Sequence, residues 1–252
     1  MAFKDHFSGH ANRYRTFRPT YPATLFEYLA SLTPGHDLAW DCATGSGQAA
    51  LALTPFFPSV AATDASEKQI GQARTHEKVR YLVAPAERTP LPDDSVDLVT
   101  IAQALHWLDL PRFYAEVRRV VHPGGVIAAW CYQLHTISPE VDAVVRHLYA
   151  DIGGEYWPPE RRLVDAGYQT LPFPFQEVAP PPFAMAQAWD LPRLLGYLGT
   201  WSSAQRYITE VGSDPIDLIR ADLEAAWGDP TQVREVVWPL HLRVGIVTGK
   251  EP

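Results

Sequence analysis

The chain has 252 residues, 46 % of them apolar and 20 % charged, with a formal net charge of −8. That length is enough to bury a full core. The acidic balance argues against nucleic acid as a partner, because no basic field is present to neutralise phosphates, and no run of about 18 apolar residues could span a membrane. The start, MAFKDHFSGHANRYR, is polar and basic and lacks the apolar stretch of a signal peptide. Cys42 and Cys131 make no metal spacing and read as small buried thiols, so a reducing cytoplasmic setting is expected.

Residues 21–32 (YPATLFEYLASL) predict an amphipathic helix with Leu25, Tyr28, Leu29 and Leu32 on one face, ended by Pro34-Gly35. From residue 38 short apolar runs alternate with helical patterns. LAWDCA predicts a strand and QAALALTPFF a helix; SVAAT is the next strand. SEKQIGQAR predicts a helix capped by Ser66, with Gln69 three residues on. VRYLVA and SVDLVTIAQ are two further strands. PRFYAEVRRVV is a helix with proline in its first turn, and VIAAWCY follows a Pro123-Gly124-Gly125 turn as a strand.

Strands alternating with helices imply parallel pairing through right-handed crossovers. A doubly wound α/β sheet is therefore expected over residues 37–132. Ligands of such sheets bind outside the carboxyl ends of the strands, where the strand order reverses. Beyond Tyr132, SPEVDAVVRHLYADIG predicts a helix. FQEVAPPPFAM and REVVWPLHLRVGIVTG predict two longer strands, the second demoted in part by Pro239. Between them lie the helical patterns DLPRLLGYLGTW, SAQRYITEVG and DPIDLIRADLEAAW, an insertion placed to act as a lid. The whole chain, 1–252, is expected to form one domain: an N-terminal arm and helix (1–36), a cofactor-binding core (37–132), a strand with helical cap insertions (133–235), and a last strand and tail (236–252).

DCATGSGQAA, residues 41–50, carries a strand into Gly45-Ser46-Gly47 and on into a helix. Glycines there let backbone N–H groups approach a ligand closely. About 20 residues further on, Asp64 ends the second strand, where an acid accepts hydrogen bonds from ribose hydroxyls. The pair points to an adenosine-containing ligand. The loop also satisfies the relaxed GxGxxA pattern of dinucleotide enzymes, so an NAD-dependent oxidoreductase stays open as an alternative. Against it stand Asp41, where such enzymes carry an apolar residue, and the lack of a Tyr-x-x-x-Lys pair after the fourth or fifth strand.

The series of motifs resembles the class I S-adenosylmethionine-dependent methyltransferases, in the small-molecule group called methyltransferase type 11. DCATGSGQ is similar to that family's first motif, TDAS to its second strand end, APAERTPLPDDSVDLVTIAQALHW to its third and fourth strands, and EVRRVVHPGGVIAAW to the helix, turn and strand that follow. RPTYP, YWPPE (156–160) and LGTWS (198–202) are similar to the subgroup of trans-aconitate methyltransferases. One departure is Ala43, which stands where the family carries its first glycine.

The resemblance implies a Rossmann-like, mostly parallel sheet with a late antiparallel strand, S-adenosylmethionine as cofactor, and a small methyl acceptor, an acidic one by analogy with the subgroup. It implies that Asp41 organises the loop and reaches the cofactor's ammonium through water. Ala43, Gly45 and Gly47 would line the methionine moiety and Asp64 would hold the ribose. Ala65 and Gln69 would flank that ribose, with a helix cap as the other role for Gln69. Ala86 and Glu87 would meet the adenine edge, Gln103 would offer its carbonyl to the ammonium, and Ala104 would face the sulfonium.

His106 and Trp107 follow the fourth strand, where the resemblance places substrate-facing groups. His106 has no neighbour at metal-ligand spacing, and no metal is expected. It is the candidate catalytic residue, orienting or deprotonating the acceptor, with plain packing as the alternative. Trp107 would wall the pocket. Tyr14, Arg18 and Tyr21 of the arm are candidates to meet the cofactor carboxylate or an acidic substrate, and Trp201 to contact the substrate. Carboxylate or hydroxyl oxygen is the expected acceptor; a fold that binds the cofactor without turnover is the other alternative. The sequence carries no signal for oligomeric state.

Overall fold

A computed structural model describes residues 17–248. It begins with helix α1 (Ala23–Ser31), which buries Leu25, Phe26, Leu29 and Ala30 along one face. Strand β1 (Leu38–Cys42), helix α2 (Gln48–Leu53), β2 (Ser59–Asp64), α3 (Glu67–Ile70), β3 (Val79–Val83) and β4 (Val96–Ala102) follow. A single 3-10 turn (Leu105–Trp107) leads into α4 (Leu110–Val120) and the long β5 (Val121–Tyr132). The later part contains α5 (Pro139–Arg146), continued by a π-turn, then α6 (Arg161–Asp165), β6 (Gln176–Val178), β7 (Phe183–Trp189), α7 (Leu191–Leu198), α8 (Ser202–Val211), α9 (Ile216–Trp227) and β8 (Arg234–Ile246).

The sheet runs β3-β2-β1-β4-β5-β8-β6, with β7 also paired to β8. β1 to β5 pair in parallel, whereas β8 is antiparallel to β5, β6 and β7. This is a Rossmann-like, mostly parallel sheet with its antiparallel pairing at one edge. β1 and β4 are buried almost throughout, as strands covered by helices on both faces must be. Buried Asp97 of β4 accepts the backbone N–H groups of Asp37 and Leu38, at 2.8 and 3.1 Å, and so pins the start of β1. The strand order reverses between β1 and β4, and the carboxyl ends of these two strands frame the site described below.

Three elements depart from the sequence expectation. The helix expected over 66–74 is only α3, four residues long. It buries no side chain, and Gly71 ends it with hydrogen bonds of the tighter i→i+3 type from Gln72 and Ala73; a helix with no buried face has little to sustain it. The strand expected over 175–185 is broken at 179–182, where Pro180, Pro181 and Pro182 have no N–H to give a ladder.

Pro239, in contrast, does not interrupt β8. Its neighbour in register, Val237, exchanges hydrogen bonds with Thr136, and residue 239 faces the same side, where β5 has already ended at Tyr132. The missing N–H therefore costs no ladder bond.

Trp189, Tyr197, Trp201, Trp227 and Trp238 are buried with the helices α7–α9 and strands β7 and β8, and α9 packs against α5. Among the described residues no helix is long and apolar enough to cross a membrane.

Candidate active site

A cavity of about 1240 Å³ lies at the carboxyl ends of β1, β2 and β4. The strand ends and their loops supply nearly all of its wall, because successive parallel strands all release their chain on this side.

The first wall is the β1–α2 loop. Asp41, the fourth residue of β1, is buried beneath it and receives hydroxyl hydrogen bonds from Thr44 and from Thr100 of β4, the latter at 2.7 Å. Burial nevertheless wins: it raises the Asp41 carboxyl to about 6, with the two hydroxyls first and the nearby Ala50 backbone next pulling it down, and Asp64 adding a smaller upward push. Ala43 and Gly45 line the cavity, both in the left-handed region at φ 53 and 56. Gly45 suits that conformation, whereas for alanine it costs about 1–2 kcal/mol. Gly47 is not part of the wall. It caps α2 at φ 85, and a side chain there would run into the Tyr81 ring. The expectation that it touches the ligand is replaced by a packing requirement.

The second wall is the end of β2. One oxygen of Asp64 accepts the N–H of Gly45 at 2.9 Å, and the other that of Ser66 at 2.8 Å. Asp64 thus holds the glycine loop and its own turn together while lining the cavity. Ala65 and Gln69 line it too. The N–H of Gln69 is capped by Ser66 Oγ at 3.3 Å, and Gln69 also lines the cavity. From the β3 end come Ala86 and Glu87; Glu87 also accepts the N–H of Asp109 at 3.0 Å, tying the loops after β3 and β4.

The third wall is the end of β4. Gln103 stands at φ 56, and its amide nitrogen donates to the Tyr132 carbonyl at 3.2 Å. Its oxygen is buried and has no partner among the described residues, although Gln103 lines the cavity. An orphaned acceptor of this kind costs about 1–3 kcal/mol unless a donor arrives. A ligand ammonium is such a donor. Ala104 lies beside it.

His106 and Trp107 line the cavity with their rings 4.6 Å apart. His106 Nδ1 lies 2.8 Å from the Tyr168 hydroxyl. Burial first, and the nearby Arg161 guanidinium second, lower the imidazole to about 3, so His106 is neutral at physiological pH.

Glu160 and Pro172, from the segment before and after α6, close the remaining side. YWPPE marked this region in the sequence, but Tyr168, Arg161 and the two threonines on Asp41 carried no signal there. Their roles come from contacts between residues distant in the chain.

Other expected site residues stand elsewhere. No residue of the helical insertion at 190–233 lines this cavity. Trp201 is buried among Tyr149, Trp157 and Tyr197, and Arg18 donates to the Tyr132 hydroxyl at 3.0 Å and lies over the Tyr197 ring. Both lie outside the wall because the aromatic cluster between α7, α8 and β8 engages them. Tyr14 falls outside the described residues. Tyr21 does line the cavity, against Trp130.

A family profile described as a methyltransferase domain matches residues 40–129, the stretch from β1 to β5 that builds these walls. A methyltransferase-named protein of Dictyostelium discoideum is 33 % identical over 257 aligned residues, covering 99 % of this chain and 96 % of the relative. The malonyl-[acyl-carrier protein] O-methyltransferase of Dechloromonas aromatica is 33 % identical over 130 residues, 51 % of this chain and 46 % of that one. A solved structure described as a type II methyltransferase, from Anaeromyxobacter dehalogenans, superposes with a TM-score of 0.88 at 49 % identity, covering 93 % of this chain and all of the other. With the glycine loop, Asp64 and the orphaned Gln103 oxygen on one cavity, the chain belongs to the class I S-adenosylmethionine-dependent methyltransferases.

Proposed function

We propose that this enzyme methylates an oxygen of a small acidic molecule, in the manner implied by its resemblance to the trans-aconitate methyltransferases, and that it works in the cytoplasm as one domain over residues 1–252. One observation carries this reading: His106 and Trp107 continue directly from Gln103 and Ala104 along the same cavity wall. Donor and acceptor would then sit against neighbouring residues of a single strand end.

When bound, S-adenosylmethionine supplies a methyl group on a positively charged sulfur, open to attack from the side opposite that sulfur. Asp64 would hold the ribose. Ala65, Gln69, Ala86 and Glu87 would flank the ribose and adenine. Ala43 and Gly45 would lie along the methionine part, where Gln103 Oε1 would accept the ammonium and Asp41, organising the loop, would reach it through water. Ala104 would face the sulfur. Holding the two reacting atoms about 3–3.5 Å apart and in line supplies much of the rate.

The acceptor chemistry follows from His106. A nitrogen held near 3 is a poor proton acceptor at neutral pH. A carboxylate acceptor requires no proton removal, whereas an alcohol or amine does. The Dechloromonas relative, named as an O-methyltransferase, supports the same atom type. Cys42 and Cys131, both free and buried, suit a reducing compartment.

A screen of carboxylic acids, alcohols, phenols and amines with methyl-labelled cofactor tests this. Label transfer to acids in a base-labile ester is the expected result. Transfer confined to amines would overturn the acceptor assignment.

A further inference from the structure

We propose that Tyr168 is a positioning residue that fixes His106 as its Nε2–H tautomer, so that His106 gives the acceptor a hydrogen-bond donor and not a base. This rests on the methyltransferase reading of the cavity for its consequence, and on geometry alone for the tautomer.

The Tyr168 hydroxyl lies 2.8 Å from His106 Nδ1 and is fully buried. The backbone N–H groups of Leu105 and His106 lie on the side of its oxygen and pull the phenol's titration down, with burial outweighing them. A buried phenol has one hydrogen to place on an acceptor. Nδ1 is the acceptor within reach, and in a neutral imidazole an accepting Nδ1 leaves the proton on Nε2. Nε2 meets no protein partner among the described residues, and the ring lines the cavity.

The surroundings keep this arrangement. Burial holds the Tyr168 phenol well above its ordinary value, so it stays a donor. Arg161, whose Nε is tied to Asp165 and to the Tyr149 hydroxyl at 3.1 and 2.8 Å, opposes a second proton on His106. Trp107 is a neutral ring on the other side, Cys131 lies behind Tyr168, and Glu160 is the carboxylate contributed from the α6 side of the cavity.

Tyr168 is held by a strained turn. Gly167 and Tyr168 stand at φ 57 and 61 directly after α6. A left-handed tyrosine costs about 1–2 kcal/mol. The turn is clamped by Tyr168 N–H to the Leu163 carbonyl at 3.0 Å and by Arg243 Nη1 to the Tyr168 carbonyl at 3.2 Å. Strain that the surroundings hold in place is a mark of a functional position. Here it delivers one hydroxyl to one ring nitrogen.

An Nε2–H donor at this point holds an oxygen with a free lone pair. It favours acceptors that are nucleophilic on arrival, above all carboxylates, over amines that arrive protonated.

The test is nitrogen NMR of the full chain with 15N-labelled histidine, from about pH 5 to about pH 8. Signals of His106 are assigned by their loss in His106→Gln. The expected result is an unprotonated Nδ1 and a protonated Nε2 across the range, and a mixture of both tautomers in Tyr168→Phe. A proton on Nδ1, an imidazolium forming with a midpoint above about pH 6, or an unchanged tautomer in Tyr168→Phe would overturn the proposal. The wild-type spectra decide alone if the variant does not fold. The measurement uses no cofactor or acceptor, so its failure is distinct from failure of the label-transfer screen.

Discussion

The two ends of the cavity, proposed above for cofactor and acceptor, are built by different means. The cofactor end is mostly backbone, small residues and two acids, taken from strand ends that lie close together in the chain: the 41–45 loop, Asp64 to Gln69, and Ala86. Its polar groups serve each other mostly at short range, as when Asp64 receives Gly45 and Ser66 and Asp41 receives Thr44; Thr100 of β4 is the one distant donor in this set. The acceptor end is made of large side chains brought from far apart, such as His106 with Tyr168, 62 residues away. A fixed cofactor can be met by a local, repeated device, whereas a particular acceptor needs a wall assembled by long-range packing.

Substitutions at the two ends and in the core separate their roles. Trp201→Ala is expected to cost about 3–5 kcal/mol of stability, as large-to-small changes in a core do. Denaturant unfolding measures it. Full stability with altered substrate preference would return Trp201 to the acceptor wall.

Asp64→Ala removes a charged acceptor from two backbone N–H groups and frees the glycine loop. Hydrogen bonds to charged groups are worth about 1.5–3 kcal/mol, so S-adenosylhomocysteine affinity should fall roughly 100-fold by calorimetry. His106→Ala should leave that affinity within about threefold and lower turnover about 10- to 100-fold, while His106→Gln, which keeps an N–H donor, should retain more. A change in affinity as large as that of Asp64→Ala would merge the two ends into one.

Acid sensitivity probes the back of the molecule. His135 is buried between Tyr197 and Trp238 with neither nitrogen partnered among the described residues, and burial lowers it to about 4. The unfolded chain therefore binds a proton that the folded one refuses between about 6.5 and 4, and stability falls as pH drops through that window. His106 adds a loss of the same sign. Asp41, raised to about 6, acts in the opposite sense: its burial penalty is relieved as pH falls below that value. His135→Leu should raise the melting temperature more at about pH 5 than at about pH 8. An equal shift at both would show that His135 does not titrate.

The smallest effect is expected from Ala43→Gly. Relief of φ 53 outweighs the added chain entropy by a few tenths of a kcal/mol, with a melting point higher by a degree or two. A lower melting point would show that the alanine methyl packs usefully.

The same contrast explains what could be read from the sequence. Glycine loop, the acid ending β2 and strand alternation come in order, and each is marked by neighbours within a few residues, so β1 to β5 and most of the strand-end residues that line the cavity were legible. Gly47 was misplaced because its positive φ and the Tyr81 ring demand glycine without any ligand. Tyr168 and Arg161 were invisible, because nothing near them in sequence marks where the later chain folds back, and Thr100 because its neighbours do not show that it faces Asp41 of β1. Trp201 shows the reverse error: an aromatic on a short helix has the same residue type in a core as in a pocket.

The central claim, that this cavity takes S-adenosylmethionine between the Asp41 loop and Asp64, is tested most directly by calorimetric titration with S-adenosylhomocysteine and with NAD across pH. Saturable one-to-one binding of S-adenosylhomocysteine and none of NAD is the expected result. Because a cationic amine in the site favours ionised Asp41, affinity should weaken as pH falls below about 6, with a proton released on binding there. Tight binding of NAD with none of S-adenosylhomocysteine would contradict it.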